Sequence, residues 1–115
     1  MDKKINFINL TPHDINVYSR DGELLFTIHK CSYPPRLKEI RRKIAQLDNI
    51  DINFVTFELD GIEIPSIQNG TYYIVSRLLA ESIGRADFLI PDETVRDKEG
   101  RIIGCMSFAS IIDLF

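Results

Sequence analysis

Val75-Ser76-Arg77 is the first place in this 115-residue chain where residue types and spacing suggest chemistry. The apolar run Tyr72-Tyr73-Ile74-Val75 leads into Arg77-Leu78-Leu79-Ala80-Glu81-Ser82-Ile83, which has helical composition. Ser76 is a good N-cap for that helix. Unpaired N–H groups at a helix start attract anions, and Arg77 adds a charge-assisted contact. One reading is therefore a phosphate or carboxylate site. The plainer reading is that Ser76 only caps, while Arg77 pairs with Glu81 at i,i+4. A second group, Arg85, Arg96 and Arg101, suits phosphate recognition. Asp87, Asp92 and Asp97 stand close to it in sequence, so salt-bridged turns account for it equally well. Asp92 and Asp97 lack the ligand spacing of a metal loop. If the arginines converge, Ser76, Arg77, Arg96 and Arg101 hold phosphates, and Tyr72, Tyr73 or Phe88 stacks on a base.

Arg36 to Lys43 holds five basic residues and one Glu. A basic stripe can bind nucleic acid. The acidic balance of the chain and the lack of interleaved aromatics speak for a solvated or oligomer-forming face instead. His13 and His29 are the only imidazoles. His13 lies in a polar turn, where its ring could tie the turn to a neighbouring backbone group. His29, Cys31 and Ser32 are close in sequence, but side chains two apart on a strand lie some 7 Å from each other. There is no glycine-rich phosphate loop, GxSxG or HExxH. The residues predict a binding protein, not an enzyme, and call for no cofactor.

The elements that must position these residues are mainly strands. Ile5 to Leu10 alternates with apolar groups on both faces, as in a strand covered on both sides. Thr11-Pro12-His13-Asp14 interrupts it. Ile15-Asn16-Val17-Tyr18 and Leu24 to His29 read as a hairpin around Arg20-Asp21-Gly22-Glu23. Arg36 to Leu47 is ambiguous. Leu37, Ile40, Ile44 and Leu47 have helical spacing, yet Asp48-Asn49 suits a turn into the alternating segment 50–59. A short strand follows at 62–64, and Asn69-Gly70 is a turn. The main helix is expected at 76–84, with Gly84 left-handed at its end. Phe88-Leu89-Ile90 reads as a strand ended by Pro91. Asp97 to Gly100 turns between 94–96 and 101–103, and 106–115 is a strand or a docked tail. The expected fold is α+β, a mostly antiparallel twisted sheet with one main helix, in a single domain over 1–115.

Composition sets the frame. The chain is 44% hydrophobic and 27% charged, which excludes disorder and membrane character. Fourteen basic and seventeen acidic residues leave a net charge of −3, unlike a non-specific DNA binder. No apolar window resembles a signal or a membrane span, so a cytoplasmic location is expected. Cys31 and Cys105 read as free thiols of a reducing compartment. Long alternating strands leave edges, so a homo-oligomer is expected.

Several ordered strings carry a resemblance. They are Ile8-Asn9-Leu10-Thr11-Pro12-His13-Asp14-Ile15-Asn16-Val17, Gly70-Thr71-Tyr72-Tyr73-Ile74-Val75-Ser76, Pro91-Asp92, and the run from Val95 to Cys105. Together they resemble a family of small proteins of bacteriophages and prophages. The resemblance implies two strands over 36–58. It also implies a role against host defence, such as that of the Thoeris anti-defence sponges, which sequester nucleotide signals. A cyclic or ADP-ribose-type nucleotide would then be the partner, in a bacterial host cell. The phosphate and base contacts named above come from the chemistry of the residues, not from the resemblance.

Overall fold

The computed structural model describes residues 4–61 and 63–113. They gather into two compact units, Met1–Pro34 with Pro65–Phe115, and Pro35–Ile64. Prolines sit at both junctions, and no shift in composition marks them.

The first unit contains β1 (Asn6–Asn9), β2 (Ile15–Tyr18), β3 (Leu24–Ile28), β6 (Thr71–Ile74), α1 (Arg77–Ile83), β7 (Phe88–Arg96) and β8 (Ile102–Ala109). The second contains β4 (Leu37–Leu47) and β5 (Ile50–Leu59). The fold class is α+β, with one short helix among strands. Antiparallel pairs β2–β3, β7–β8 and β4–β5 carry most of the ladder. The six-stranded sheet of the first unit is mixed, in the order β1-β6-β7-β8-β2-β3, with β1–β6, β6–β7 and β2–β8 parallel.

The two ends of that order meet. The Phe7 and Phe26 rings stack at 6.4 Å. Asn9 Nδ2 donates to the Ile28 carbonyl at 3.1 Å, and the Cys31 N–H to the Thr11 carbonyl at 2.9 Å. The sheet therefore curls towards closure around Ile15, Val17, Ile74, Leu89 and Cys105, with Phe7, Tyr72 and Phe108 packed against them. Alternation sends Tyr73 and Phe88 to the other face, where they are buried beside one another.

Local chemistry explains the helix. Ser76 is extended and accepts from the Leu79 N–H at 3.2 Å, and Gly84 is left-handed at φ 69°. Asp48 and Asn49 both have positive φ, as a two-residue hairpin with the favoured twist requires. Residues 37–47 are thus a strand. Two expectations fail. Pro91 does not end a strand, because β7 runs through it to Arg96. β6 pairs with β7 only at Phe88 and Leu89, so from Ile90 on β7 is an edge on that side, where a strand proline is tolerated. Of the expected strand 62–64, Ile62 lies outside the described residues, and Glu63 and Ile64 are not strand. The tail is strand as far as Ala109, and its last two residues lie outside the described ones.

β8 crosses β2 at Gly104. A Cβ there would collide with the Asn16 carbonyl oxygen and stand 2.6 Å from the Tyr18 ring. Asn16 spans three strands at this point. Its Nδ2 donates to the Ile103 carbonyl at 3.0 Å, and its Oδ1 accepts from Thr27 Oγ1 at 2.7 Å. Gly104→Ala should therefore force β2 and β8 apart and cost about 1–3 kcal/mol. A melt of the variant beside the parent checks this, and an unchanged melting temperature refutes the crossing.

Candidate functional site

Every arginine proposed for phosphate has a partner of its own. Arg77 Nε meets Glu81 Oε1 at 3.0 Å, the i,i+4 pair. Arg96 donates to the Gly100 carbonyl at 2.7 Å. Arg101 meets Asp97 at 3.0 Å and Glu99 at 2.6 Å. Asp97 is held below the usual carboxylate range, chiefly by the Arg101 backbone N–H. Arg96 and Arg101 thus brace the β7–β8 turn, and neither lines the cleft that Arg77 borders. Local attraction between neighbours in sequence wins over convergence.

The stacking candidates divide as well. Tyr73 and Phe88 are each only 1% exposed, so they are core side chains with no face for a base. Tyr73 also donates to the Ser66 carbonyl at 3.3 Å. Over both rings lies Arg85, 4.8 Å from the Phe88 centroid and 5.7 Å from that of Tyr73. Its guanidinium grips Asp87 with two bonds, at 2.9 and 2.6 Å, and donates to the Pro65 carbonyl at 2.7 Å. The bond to Asp87 raises Arg85 above its ordinary value. Arg85 is a structural clasp. Tyr72 is half-buried and tilted against Phe7 at 6.4 Å.

Ser76 and Arg77 do border a cleft of about 760 Å³. Its walls are residues 11–15, 75–77, Ile90 with Pro91, and 102–104. It opens where β1 and β6, two parallel strands, both end. Crevices at the carboxyl ends of parallel strands are common ligand sites. Ile15, Val75 and Ile90 are its buried apolar floor, Pro91, Ile102 and Ile103 add exposed apolar walls, and Arg77, His13 and Asp14 are polar side chains on its lining. Ser76 Oγ is already engaged as the cap. Arg77 is exposed, and its surface pair with Glu81 is a weak tie that a stronger anion can replace.

One wall owes its shape to a residue outside the candidate groups named above. Asn9, at the end of β1, is buried. Its Nδ2 donates to the His13 carbonyl at 2.7 Å as well as to Ile28. Its Oδ1 accepts from the Thr11 N–H at 2.8 Å and from Thr11 Oγ1 at 2.6 Å. Thr11 Oγ1 lies 3.0 Å from the His13 carbonyl. So the turn is tied by the side chains of Asn9 and Thr11, and His13 takes part through its backbone. Asp14 Oδ1 accepts from the Lys30 N–H at 2.8 Å, which fixes the far end. An asparagine before a Thr-Pro turn is the signal that could have revealed the device, since its amide can bond backbone two residues on.

Both cysteines are free. Cys105 is buried, and burial raises its thiol, which suits packing and not nucleophilic work. Among the described residues no three His, Cys, Asp or Glu side chains gather to hold a metal ion. No helix among them is long and apolar enough to cross a membrane. Comparison with protein-family models, with curated proteins and with solved structures found no match to this chain.

Proposed function

We propose that the protein binds a small phosphorylated ligand in the cleft between the 11–15 turn and Arg77 and holds it without transforming it. The observation that carries this reading is the cleft itself. Its volume is that of a small-molecule site, its floor is apolar and a releasable guanidinium stands at its rim. A base or other flat group would lie over Ile15, Val75 and Ile90 between the apolar walls, and a phosphate would take Arg77 from Glu81. Arg96 and Arg101 have no place in this arrangement. The resemblance to phage proteins supports a nucleotide immune signal as the ligand. The protein would then act as an anti-defence sponge in the cytoplasm of a bacterial host.

Thermal melts with a panel of cyclic and ADP-ribose-type nucleotides test this. One of them should stabilise the protein, by about 2.7 kcal/mol at one hundred times its Kd. Arg77→Ala should weaken the effect, and the ligand should be recovered unchanged after heat denaturation. If no nucleotide shifts the melt, the protein is an interaction module without a small ligand.

A further inference from the structure

The second unit poses a problem of its own. β4 and β5 form a sheet of only two strands, joined at Asp48-Asn49. A two-stranded ribbon is at best marginally stable in water. This one is long, and its tip is apolar and open: Leu47 is 63% exposed, Ile50 64% and Phe54 51%. The register shift between Lys43 and Ala45 matters here. It turns the strand over by one residue, so the pairs Arg42–Phe54, Ala45–Ile52 and Leu47–Ile50 share a face. That gathers Phe54, Ile52, Leu47 and Ile50 on one side of the tip. Arg42, 5.9 Å from the Phe54 ring, and the Lys38–Glu58 pair mark the wetter end of the same face.

Among the described residues the two outer edges of the ribbon have no strand partner, and the two strands carry opposite charge. β4 holds Lys38, Arg41, Arg42 and Lys43 against Glu39 alone, whereas β5 holds Asp51 and Glu58 and no cation. Within the ribbon these charges already meet, Lys38 with Glu58 at 3.6 Å and Lys43 with Asp51 at 3.1 Å. Pairing β4 with a second β4 would set cations opposite cations, which is unfavourable. Pairing β4 with the β5 of another copy repeats the favourable matches in the same register.

We propose that the β4–β5 ribbon is an assembly arm whose partner is a second copy of this chain. β4 of each copy adds to β5 of the next. Head-to-tail pairing of this kind closes only as a ring, here of three or more copies. The ring turns Phe54, Ile52, Leu47 and Ile50 inward, away from water. It also leaves no free edge on either strand.

Light scattering and native mass spectrometry on the full chain at micromolar concentration test the arm. The expected mass is at least three times the 13.3 kDa protomer. A protomer mass overturns the proposal. A dimer does too, because two copies would bury the apolar face without head-to-tail pairing. The double variant Ile52→Asp, Phe54→Asp should reduce the mass to that of one protomer while the first unit keeps its circular dichroism. An unchanged assembly would place the interface elsewhere and end the proposal. Amide exchange on the unaltered protein needs no variant. N–H groups pointing outward on both β4 and β5 should be protected, and rapid exchange of that outer set on either strand contradicts the pairing.

Discussion

Asp87→Ala should lower stability by about 3 kcal/mol, among the largest losses expected of any single truncation in this chain. Asp87 is 8% and Arg85 19% exposed at the side chain, so the pair is largely withdrawn from water. Removing the carboxylate leaves a guanidinium held over Phe88 and Tyr73 by the Pro65 carbonyl, with its charge uncompensated. Through Arg85, Asp87 also fixes the donor that holds the Pro65 carbonyl. For a chain of this length the melting temperature should fall on the order of 10 °C. Asp87→Asn keeps an acceptor and should cost less. Denaturant titration of both variants measures the difference. A loss under about 1 kcal/mol for Asp87→Ala would mean that the ring faces and the Pro65 carbonyl hold Arg85 unaided.

Asn9→Asp should be nearly as damaging, although it replaces one atom. Nδ2 is the donor to two carbonyl oxygens, those of His13 and Ile28. The substitution sets an oxygen against both, in a buried position. The cost is about 3 kcal/mol at neutral pH. The introduced carboxyl has no cation opposite it in this network, so folding raises its pKa above the unfolded value of about 3.9. The penalty should therefore be small below about pH 4, where the group is protonated in both states, and grow as the pH rises. The unaltered protein lacks that dependence at this position. Stability measured for both proteins across pH 3.5–7 checks the sign. A variant equally destabilised at every pH would show that lost shape, not charge, is responsible. The same substitution should free the 11–15 turn and widen the cleft.

How much of this was legible in the sequence depends on how local the physics is. Ser76, Gly84 and Asp48-Asn49 act within a few residues, and their roles follow from residue type. The hairpin arm was ambiguous for a definite reason. The register shift at Lys43/Ala45 places Ile40 and Leu47 on one face, although they are seven residues apart, and a helix would do the same. Pairing between distant segments left no trace. The parallel ladders β1–β6 and β2–β8 join residues far apart in sequence, and neither periodicity nor turn chemistry announces them. Pro91 misled because its tolerance depends on where β6 stops pairing.

The site shows the same division. The alternative in which Arg77 pairs with Glu81 is what the structure contains, since both lie on one helix. Tyr73 and Phe88 looked available for stacking, but a strand of aromatics reveals alternation, not which face is covered. Asn9 and Gly104 were passed over because their importance is set by what lies across from them: the His13 and Ile28 carbonyls, and the Asn16 carbonyl. Of the proposed binding residues, the cleft gathers Ser76 and Arg77 and adds a floor that the sequence did not single out.

The most direct test is a titration of isotope-labelled protein with the nucleotide panel, followed by amide chemical shifts. The account predicts that a binding nucleotide moves the resonances of 11–15, 75–77 and 102–104 together and leaves the 97–101 turn almost still. Shifts centred on Arg96 and Arg101, or none with any member of the panel, would contradict it.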